Sequence, residues 1–154
     1  MNETFMHEAI RLARDSVARG GGPFGAVIVK RETSVGRGAN CVTTTHDPTA
    51  HAEVVAIRDA CRQLGTFQLA GCEIYASCEP CPMCFAAIYW ARLDRIYYAL
   101  TRQDAAAMGF DDEFLYHELT LPPAQRQLPL HPIARDAALS IVREWNGKTD
   151  KIPY

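Results

Sequence analysis

Three cysteines stand at equal intervals of three residues in the segment SCEPCPMCF: Cys78, Cys81 and Cys84. Thiols at such spacing serve as disulfide partners, as a redox pair or as metal ligands. Pro80 biases the residue before it away from helical dihedral angles, and Pro82, which lacks an N–H group, suits the first position of a helix. We therefore predict that Cys81 and Cys84 open a helix on one face, whereas Cys78 ends a strand.

The start of a helix favours a thiolate, because the positive end of the helix dipole lowers the thiol pKa. Two thiolates do not complete a zinc site, which needs three or four ligands in a tetrahedral array. His51 is the histidine at the predicted start of another helix, within the triplet HAE. Together with Cys81 and Cys84 it would supply three ligands and leave an open fourth position, as catalytic zinc sites do. Glu53 would be free to move a proton, provided that the chain is still entering the helix.

Two functions of other classes remain open on these residues alone. A strand, then CPMC, then a helix also fits a thiol–disulfide oxidoreductase with Cys81 as nucleophile and Cys84 as resolving thiol. That alternative gives the residues of the HAE triplet no functional role. A structural zinc module would need a fourth protein ligand, which Cys78 could supply. The substitution Cys78→Ala separates the two zinc hypotheses.

The elements that position these residues follow from apolar periodicity and turn residues. In the first half of the chain we predict a helix over 5–17, strands in PFGAVIVK and VGRGANCV, and a helix that starts at Asp47 and Pro48. A strand in CEIYAS, a helix in PMCFAAIYWAR and a strand in RIYYAL follow. The remainder should form a helix in FDDEFLYHEL, a loop with one further strand in LPPAQRQLPLHPIA, and a helix over 137–145. Strand, helix, strand in succession implies parallel pairing and an α/β layered sheet. If the two helices flank adjacent parallel strands, their N-termini meet at one edge of the sheet, which would bring His51 to the cysteines.

Composition indicates one globular domain over residues 1–154. With 48% hydrophobic and 22% charged residues, 154 residues can bury a core without disulfides. The first residues carry charges throughout and do not form a signal peptide, so the six cysteines suggest a reducing compartment, the cytoplasm. No apolar run approaches the roughly 18 residues of a membrane span. A net charge of -2 indicates that no large positively charged surface is available to bind nucleic acid.

The ordered pair H-x-E and P-C-x-x-C is the signature of zinc nucleobase and nucleoside deaminases. The chain resembles the cytidine deaminase-like superfamily and, within it, the small bacterial-type guanine deaminases. The motifs GGPFGAVIVK, HDPTAHAE, SCEPCPMCFAAIYWAR and GFDDEF and the terminal tyrosine carry this resemblance along nearly the whole chain. It implies a three-layer α/β/α fold around a mixed five-stranded sheet, a zinc cofactor, and a homodimer in which a C-terminal segment, residues 130–154, is exchanged.

The resemblance also implies roles for individual residues at the metal. His51, Cys81 and Cys84 would be the zinc ligands, and Glu53 would shuttle protons. The reaction would be hydrolysis of guanine to xanthine and ammonia, a step of purine metabolism.

Further residues would bind the base. Asn40 would hydrogen-bond the purine, and Asp112 would contact the amino end of guanine and assist proton delivery to the leaving ammonia. Phe24 and Trp90 would form ring-stacking walls, while Tyr154 from the partner's tail would close the pocket.

Related aminated substrates remain alternatives: adenosine in tRNA, cytosine, or an ammeline-like triazine. The tRNA adenosine deaminases share HAE and PCxxC. They typically show a Gly-Ala…Gly-Ser stretch after the fourth strand, where this chain has DAAAMGFDDEF. An acidic segment suits a small purine with an exocyclic amine, since a carboxylate accepts from it.

Overall fold

The computed structural model describes residues 2–153, which divide into two compact units after Glu113. The first unit contains α1 (Glu3–Ala18), β1 (Gly25–Lys30), β2 (Thr33–Ala39), α2 (Val42–Thr45), α3 (Ala52–Leu64), β3 (Cys72–Cys78), α4 (Pro82–Trp90), β4 (Arg95–Leu100) and α5 (Arg102–Ala107). From residue 113 onward the elements are α6 (Glu113–Thr120), a 3₁₀ turn (Pro123–Gln125) and α7 (Arg135–Gly147). The prediction of a single domain stays a prediction.

The sheet is mixed and runs in the order β2-β1-β3-β4. β1 is antiparallel to both β2 and β3, whereas β3 and β4 are parallel. β2 and β3 therefore run in the same direction, but β1 lies between them. The expectation that the strands before the two site helices are adjacent is wrong, although their carboxyl ends do lie at the same edge of the sheet.

Helices cover both faces of the sheet, so the predicted three-layer α/β/α fold is confirmed. Successive residues of β1 point to opposite faces. Ala26 and Ile28 belong to the core cluster that also contains residues of α3 and α4, whereas Val27 and Val29 pack with Ala9 of α1. The continuous apolar run in β1 is explained by this burial on both faces.

Four strands form the sheet within residues 2–153, rather than the five that were expected. The segment LPPAQRQLPLHPIA, in which one further strand was predicted, contains the 3₁₀ turn and no strand. It holds four prolines, which lack the N–H group that a strand ladder requires. The predicted helices on either side of it are confirmed as α6 and α7.

Small residues let α3 lie unusually close to β2. A Cβ atom at Gly38 would collide with the carbonyl oxygen of Ala52 and the backbone nitrogen of Ala56. At Gly36 a Cβ atom would lie 2.6 Å from the carbonyl oxygen of Ala56 and 2.7 Å from the Cβ of Ala60. This contact sets the position of the first turn of α3 above the end of β2.

All six cysteines are free thiols, and Cys72 and Cys84 are fully buried. Cys41 and Cys61 are partly exposed. Among the residues described, no helix is long and apolar enough to cross a membrane.

Candidate active site

His51 is the N-cap of α3 and has extended dihedral angles, φ -67° and ψ 154°. The prediction that this helix starts at Asp47 and Pro48 is wrong. The Asp47 carboxylate instead accepts hydrogen bonds from the backbone and the hydroxyl of Thr49, at 2.8 and 2.7 Å, and so stabilises a turn. Because Asp side chains readily bond the backbone two residues on, an Asp-Pro pair marks such a turn as well as it marks a helix start.

Cys81 is the N-cap of α4, also with extended dihedral angles, φ -64° and ψ 168°, and Pro82 is the first helical residue. Cys84 follows in the first turn and is fully buried. Cys78 is the last residue of β3. The predicted division of the three cysteines between a strand end and a helix start is confirmed.

Three ligand atoms from His51, Cys81 and Cys84 lie within 4.8 Å of one another. Nδ1 of His51 is 3.6 Å from Sγ of Cys81 and 3.5 Å from Sγ of Cys84. Around a tetrahedral zinc ion, bonds of about 2.0–2.1 Å to nitrogen and 2.3 Å to sulfur place these two kinds of atom about 3.6 Å apart. The donor set and its spacing therefore fit zinc with three protein ligands. Cys78 is not a member of the group.

Glu53 lies beside this group at the second position of α3. It is 7% exposed, and its Oε2 accepts a hydrogen bond from the Cys84 thiol at 3.4 Å. Burial raises the pKa of the Glu53 carboxyl, because a buried carboxylate loses solvation. A carboxyl group that holds its proton more tightly than usual is suited to proton transfer near neutral pH.

The two thiols of the group differ strongly in acidity in the metal-free state. The adjacent Cys84 side chain lowers the pKa of Cys81, and the neighbouring His51 acts in the same direction. The same pairing raises the pKa of Cys84. His51 has a raised pKa, since the Cys81 sulfur accepts its hydrogen bond. Cys81 is therefore the thiolate of the pair, and a metal would complete the deprotonation of Cys84.

A cavity of about 500 Å³ opens over the group. Six of the residues predicted from the sequence line it: Phe24, Asn40, His51, Glu53, Cys81 and Asp112. Its further polar or aromatic lining residues are Thr43, Cys78, Glu79, Phe110 and Asp111. All of these belong to the first compact unit. The cavity is large enough for a small heterocyclic ligand.

Asn40 is 7% exposed, and hydrogen bonds fix both its side chain and its backbone. Its Oδ1 accepts hydrogen bonds from the backbone N–H groups of Gly22 and Val42, each at 3.3 Å. Its backbone carbonyl accepts from the buried Ser16 hydroxyl at 2.8 Å. With Oδ1 engaged twice, the amide NH₂ group remains as the donor that Asn40 can offer to a ligand.

One wall of the cavity is aromatic. Phe24 and Phe110 make an edge-to-face contact with ring centroids 4.9 Å apart and planes at 83°. Sequence reasoning did not single out Phe110, although it stands in the motif GFDDEF, where Gly109 (φ +88°) makes the turn that α5 needs to end.

Asp112 lies near this wall. Burial raises the pKa of its carboxyl group, and the Arg102 guanidinium opposes this rise. The cavity thus presents an amide donor and a carboxyl group from two separate loops.

Trp90 is not among the residues that line this cavity. Trp90 is the last residue of α4, about 12 Å along the helix axis from Pro82, and it is 62% exposed. Within its own chain Trp90 lies at the far end of α4 from Cys81, and its role as a ring-stacking wall stays a prediction. Tyr154 lies outside the residues that the structure describes.

Comparison with known proteins agrees with this site. Residues 1–100 match the family described as the cytidine and deoxycytidylate deaminase zinc-binding region. The chain is 49% identical over 154 residues to a guanine deaminase of Bacillus subtilis (strain 168), with 99% of each chain covered. An X-ray structure of guanine deaminase from Bacillus subtilis matches with a TM-score of 0.96 at 50% identity, covering 100% of this chain and 99% of that one.

A second kind of relative matches a shorter part of the chain. A tRNA-specific adenosine deaminase of Aquifex aeolicus is 41% identical over 97 residues, which cover 63% of this chain and 64% of that protein. Of these two relatives, the guanine deaminase matches along nearly the whole chain. On the match to residues 1–100 and the full-length similarity, this chain belongs to the cytidine and deoxycytidylate deaminase family of zinc-binding proteins.

Proposed function

We propose that the protein is a zinc-dependent hydrolase that converts guanine and water to xanthine and ammonia. The observation that carries the substrate is the extent of similarity: the sequence match to a guanine deaminase covers 99% of the chain, whereas the matches to tRNA-specific adenosine deaminases cover between 61% and 77%. The longer match includes Phe110 and Asp112, which line the cavity. These residues lie beyond the zinc-binding region that all such deaminases share.

His51, Cys81 and Cys84 would hold the zinc ion, and three protein ligands would leave one coordination position for water. When bound there, zinc lowers the pKa of a water molecule and so supplies a nucleophile near neutral pH. The extended N-cap conformations of His51 and Cys81 direct both side chains beyond their helix ends, so the group stays rigid without a fourth protein ligand.

Glu53 moves the protons. It accepts the proton of the attacking water and passes it to the ring nitrogen beside C2 of guanine, the carbon that bears the amino group. Its raised pKa favours the first half of this transfer, because a more basic carboxylate takes the proton from water more readily. The hydrogen bond from Cys84 holds Oε2 in place in the metal-free state.

Asn40 and Asp112 orient the base from two sides. The free NH₂ group of Asn40 donates a hydrogen bond to an acceptor such as the purine carbonyl oxygen. A base with an amino group at the same position, such as adenine, would place a second donor against the Asn40 donor and lose this hydrogen bond. Asp112 accepts a hydrogen bond from the exocyclic amino group. As the new C2 hydroxyl becomes a carbonyl, its proton passes to the departing amino group, which leaves as ammonia, and Asp112 assists this delivery. Phe24 provides the aromatic face against which the ring packs.

The alternatives of other classes are less well supported. An oxidoreductase would use Cys81 and Cys84 but would give no role to His51 and Glu53, which lie within hydrogen-bond range of the same sulfur atoms. A structural zinc site would require Cys78, whose thiol instead donates to the Thr101 carbonyl oxygen at 3.5 Å.

We also propose that the enzyme is a cytoplasmic homodimer in which residues 130–154 are exchanged and Tyr154 of the partner subunit enters the pocket. Each compact unit exposes large apolar side chains, which are typical of a protein–protein interface. In the first unit these include Tyr89, Trp90 and Tyr98, and in the second Ile133, Ile141 and Trp145. Light scattering on the purified protein tests the dimer.

A complementation experiment tests the exchange. A chain that lacks residues 130–154 keeps its metal group but loses its own tail, while a full-length Glu53→Gln chain keeps its tail but loses the proton shuttle. Exchange predicts that the co-expressed pair recovers activity that neither chain has alone. Recovery would be absent if each tail served its own subunit.

A substrate panel tests the function itself. The zinc-loaded protein is incubated with guanine, adenine, cytosine, cytidine, ammeline and a tRNA that contains adenosine, and ammonia release is followed. We expect turnover of guanine far above the rest. Activity on the tRNA without activity on guanine would overturn the proposal, and preference for the triazine or for cytosine would reassign the substrate.

A further inference from the structure

Glu79 lines the cavity between the end of β3 and the start of α4, and none of the roles above uses it. Its side chain contacts the backbone of a distant segment. Oε2 of Glu79 accepts a hydrogen bond at 3.1 Å from the backbone N–H of Arg102, which lies 23 residues further along the chain. Arg102 is the first residue of α5.

Two further hydrogen bonds join the same two segments. The backbone N–H of Glu79 donates to the carbonyl oxygen of Leu100 at 2.8 Å, which continues the pairing of β3 with β4. The Cys78 thiol donates to the Thr101 carbonyl oxygen at 3.5 Å. Of the three contacts, that from the Glu79 carboxylate is the one that reaches into α5 itself.

α5 carries one wall of the cavity. Its first turn is capped by Thr101 and Asp104, each of which bonds the backbone of the other. At its end, the backbone N–H of Phe110 donates to the Ala105 carbonyl oxygen at 3.0 Å. The side chain of Ala105 is buried. A helix of six residues, bonded at both ends, thus connects Arg102 to the cavity wall at residues 110–112.

We propose that Glu79 is a positioning residue that sets the distance between the metal-binding loop and the substrate wall at residues 110–112. It acts through the Arg102 N–H group and contacts neither substrate nor metal. The inference rests on the proposed function, since it assigns the wall at Phe110 and Asp112 to binding of the base. Loss of this acceptor would remove the side-chain hydrogen bond that joins the metal-binding loop to α5 and so loosen the wall at residues 110–112.

Two substitutions distinguish the effect of the length of the Glu79 side chain from the effect of its charge. Glu79→Gln keeps an acceptor oxygen at the same distance and removes the charge, whereas Glu79→Asp keeps the charge and shortens the side chain by one methylene. We expect Glu79→Gln to resemble the wild type. We expect Glu79→Asp and Glu79→Ala to raise the KM for guanine about ten-fold, with kcat and zinc content nearly unchanged, because binding is lost without damage to the reacting groups.

Amide hydrogen exchange supplies a readout that does not depend on activity. In Glu79→Asp and Glu79→Ala, peptides covering residues 102–112 should exchange faster than in the wild type, and in Glu79→Gln they should not. Glu73→Ala is the matched control: this acid lies on β3, the strand that precedes Glu79, accepts a hydrogen bond from the Arg95 side chain at 3.2 Å and is not part of the cavity. It should change neither KM nor exchange in residues 102–112.

The results for the Glu79 variants either support or contradict the positioning role. Unchanged KM and exchange in Glu79→Asp would overturn the proposal, as would a Glu79→Gln variant as impaired as Glu79→Asp, since charge would then matter rather than reach. Loss of zinc from these variants would place the role of Glu79 at the metal instead. If the wild type fails to deaminate guanine, the proposed function fails, while the exchange measurements still test the link between Glu79 and α5.

Discussion

Nδ1 of His51 lies 3.6 Å from Sγ of Cys81, although 30 residues separate them in the chain. Each of the two residues is the N-cap of its helix and has extended dihedral angles. An N-cap residue stands outside the helical rotation, so His51 and Glu53 can face the same cavity. Inside a regular helix, residues two apart would diverge by about 200°.

Glu53→Gln should keep zinc and lose turnover. The amide can still occupy the buried position beside Cys84, but it cannot accept and return a proton. Loss of a general acid and base typically costs about 10²- to 10⁴-fold in kcat, which steady-state kinetics on guanine and metal analysis will measure. Asp59→Asn, an acid-to-amide change further along α3, serves as the control. A variant that kept most of its rate would remove Glu53 from the mechanism.

Cys78→Ala should retain one zinc ion per chain, whereas Cys84→Ala should lose it. Cys78 is buried, so its truncation should lower the free energy of unfolding by less than about 2 kcal/mol. Metal analysis and thermal unfolding provide the measurements. Zinc loss from Cys78→Ala would favour a four-ligand structural site.

Removal of zinc should make Cys81 the reactive thiol of the pocket. Burial raises the pKa of Cys78 to about 11, while the adjacent Cys84 side chain and His51 lower that of Cys81. Because thiolates react and thiols do not, iodoacetamide at pH 7 should modify Cys81 in the chelated protein and spare Cys78 until the pH approaches its pKa. Peptide mass spectrometry follows both sites. Equal modification of the two cysteines at pH 7 would contradict the assignment.

Asn40→Asp should weaken guanine binding. The new carboxylate can still accept from Gly22 and Val42, but it replaces the donating NH₂ group by an acceptor and so opposes the purine carbonyl oxygen. The loss of one hydrogen bond, with repulsion in its place, predicts about 10- to 100-fold lower kcat/KM. Asn2→Asp is the control, since Asn2 also accepts a backbone hydrogen bond, from Thr4, far from the cavity. Full activity of Asn40→Asp would rule out the donor role.

Gly38→Ala should displace α3 and with it His51. The added methyl group would meet the backbone of Ala52 and Ala56, neither of which can rotate away. Overpacking of this kind costs about 1–3 kcal/mol, to be measured by urea unfolding, together with weaker zinc retention. Gly147→Ala, where the new Cβ would have no neighbour within 4 Å, should be tolerated.

Sequence patterns located most elements of the first unit because local signals there agree with the fold. The apolar run of β1, the hairpin with β2 and the Pro82 helix start were predicted and found. The start of α3 was placed wrongly because Asp47 and Pro48 have equally good turn chemistry, and the short helix α2 was not foreseen. Which competing local signal prevails depends on what the segment packs against.

The amino-acid sequence alone determined the chemistry of the site. His51, Glu53, Cys81 and Cys84 follow from residue types, proline positions and order along the chain, since metal ligands and helix starts have strong local requirements. The tertiary structure decided which residues surround them. It brought in Phe110 and Glu79 and left Trp90 at the far end of α4, because contacts between residues distant in sequence depend on the order of the strands and the packing of helices on both faces, and no local pattern encodes these.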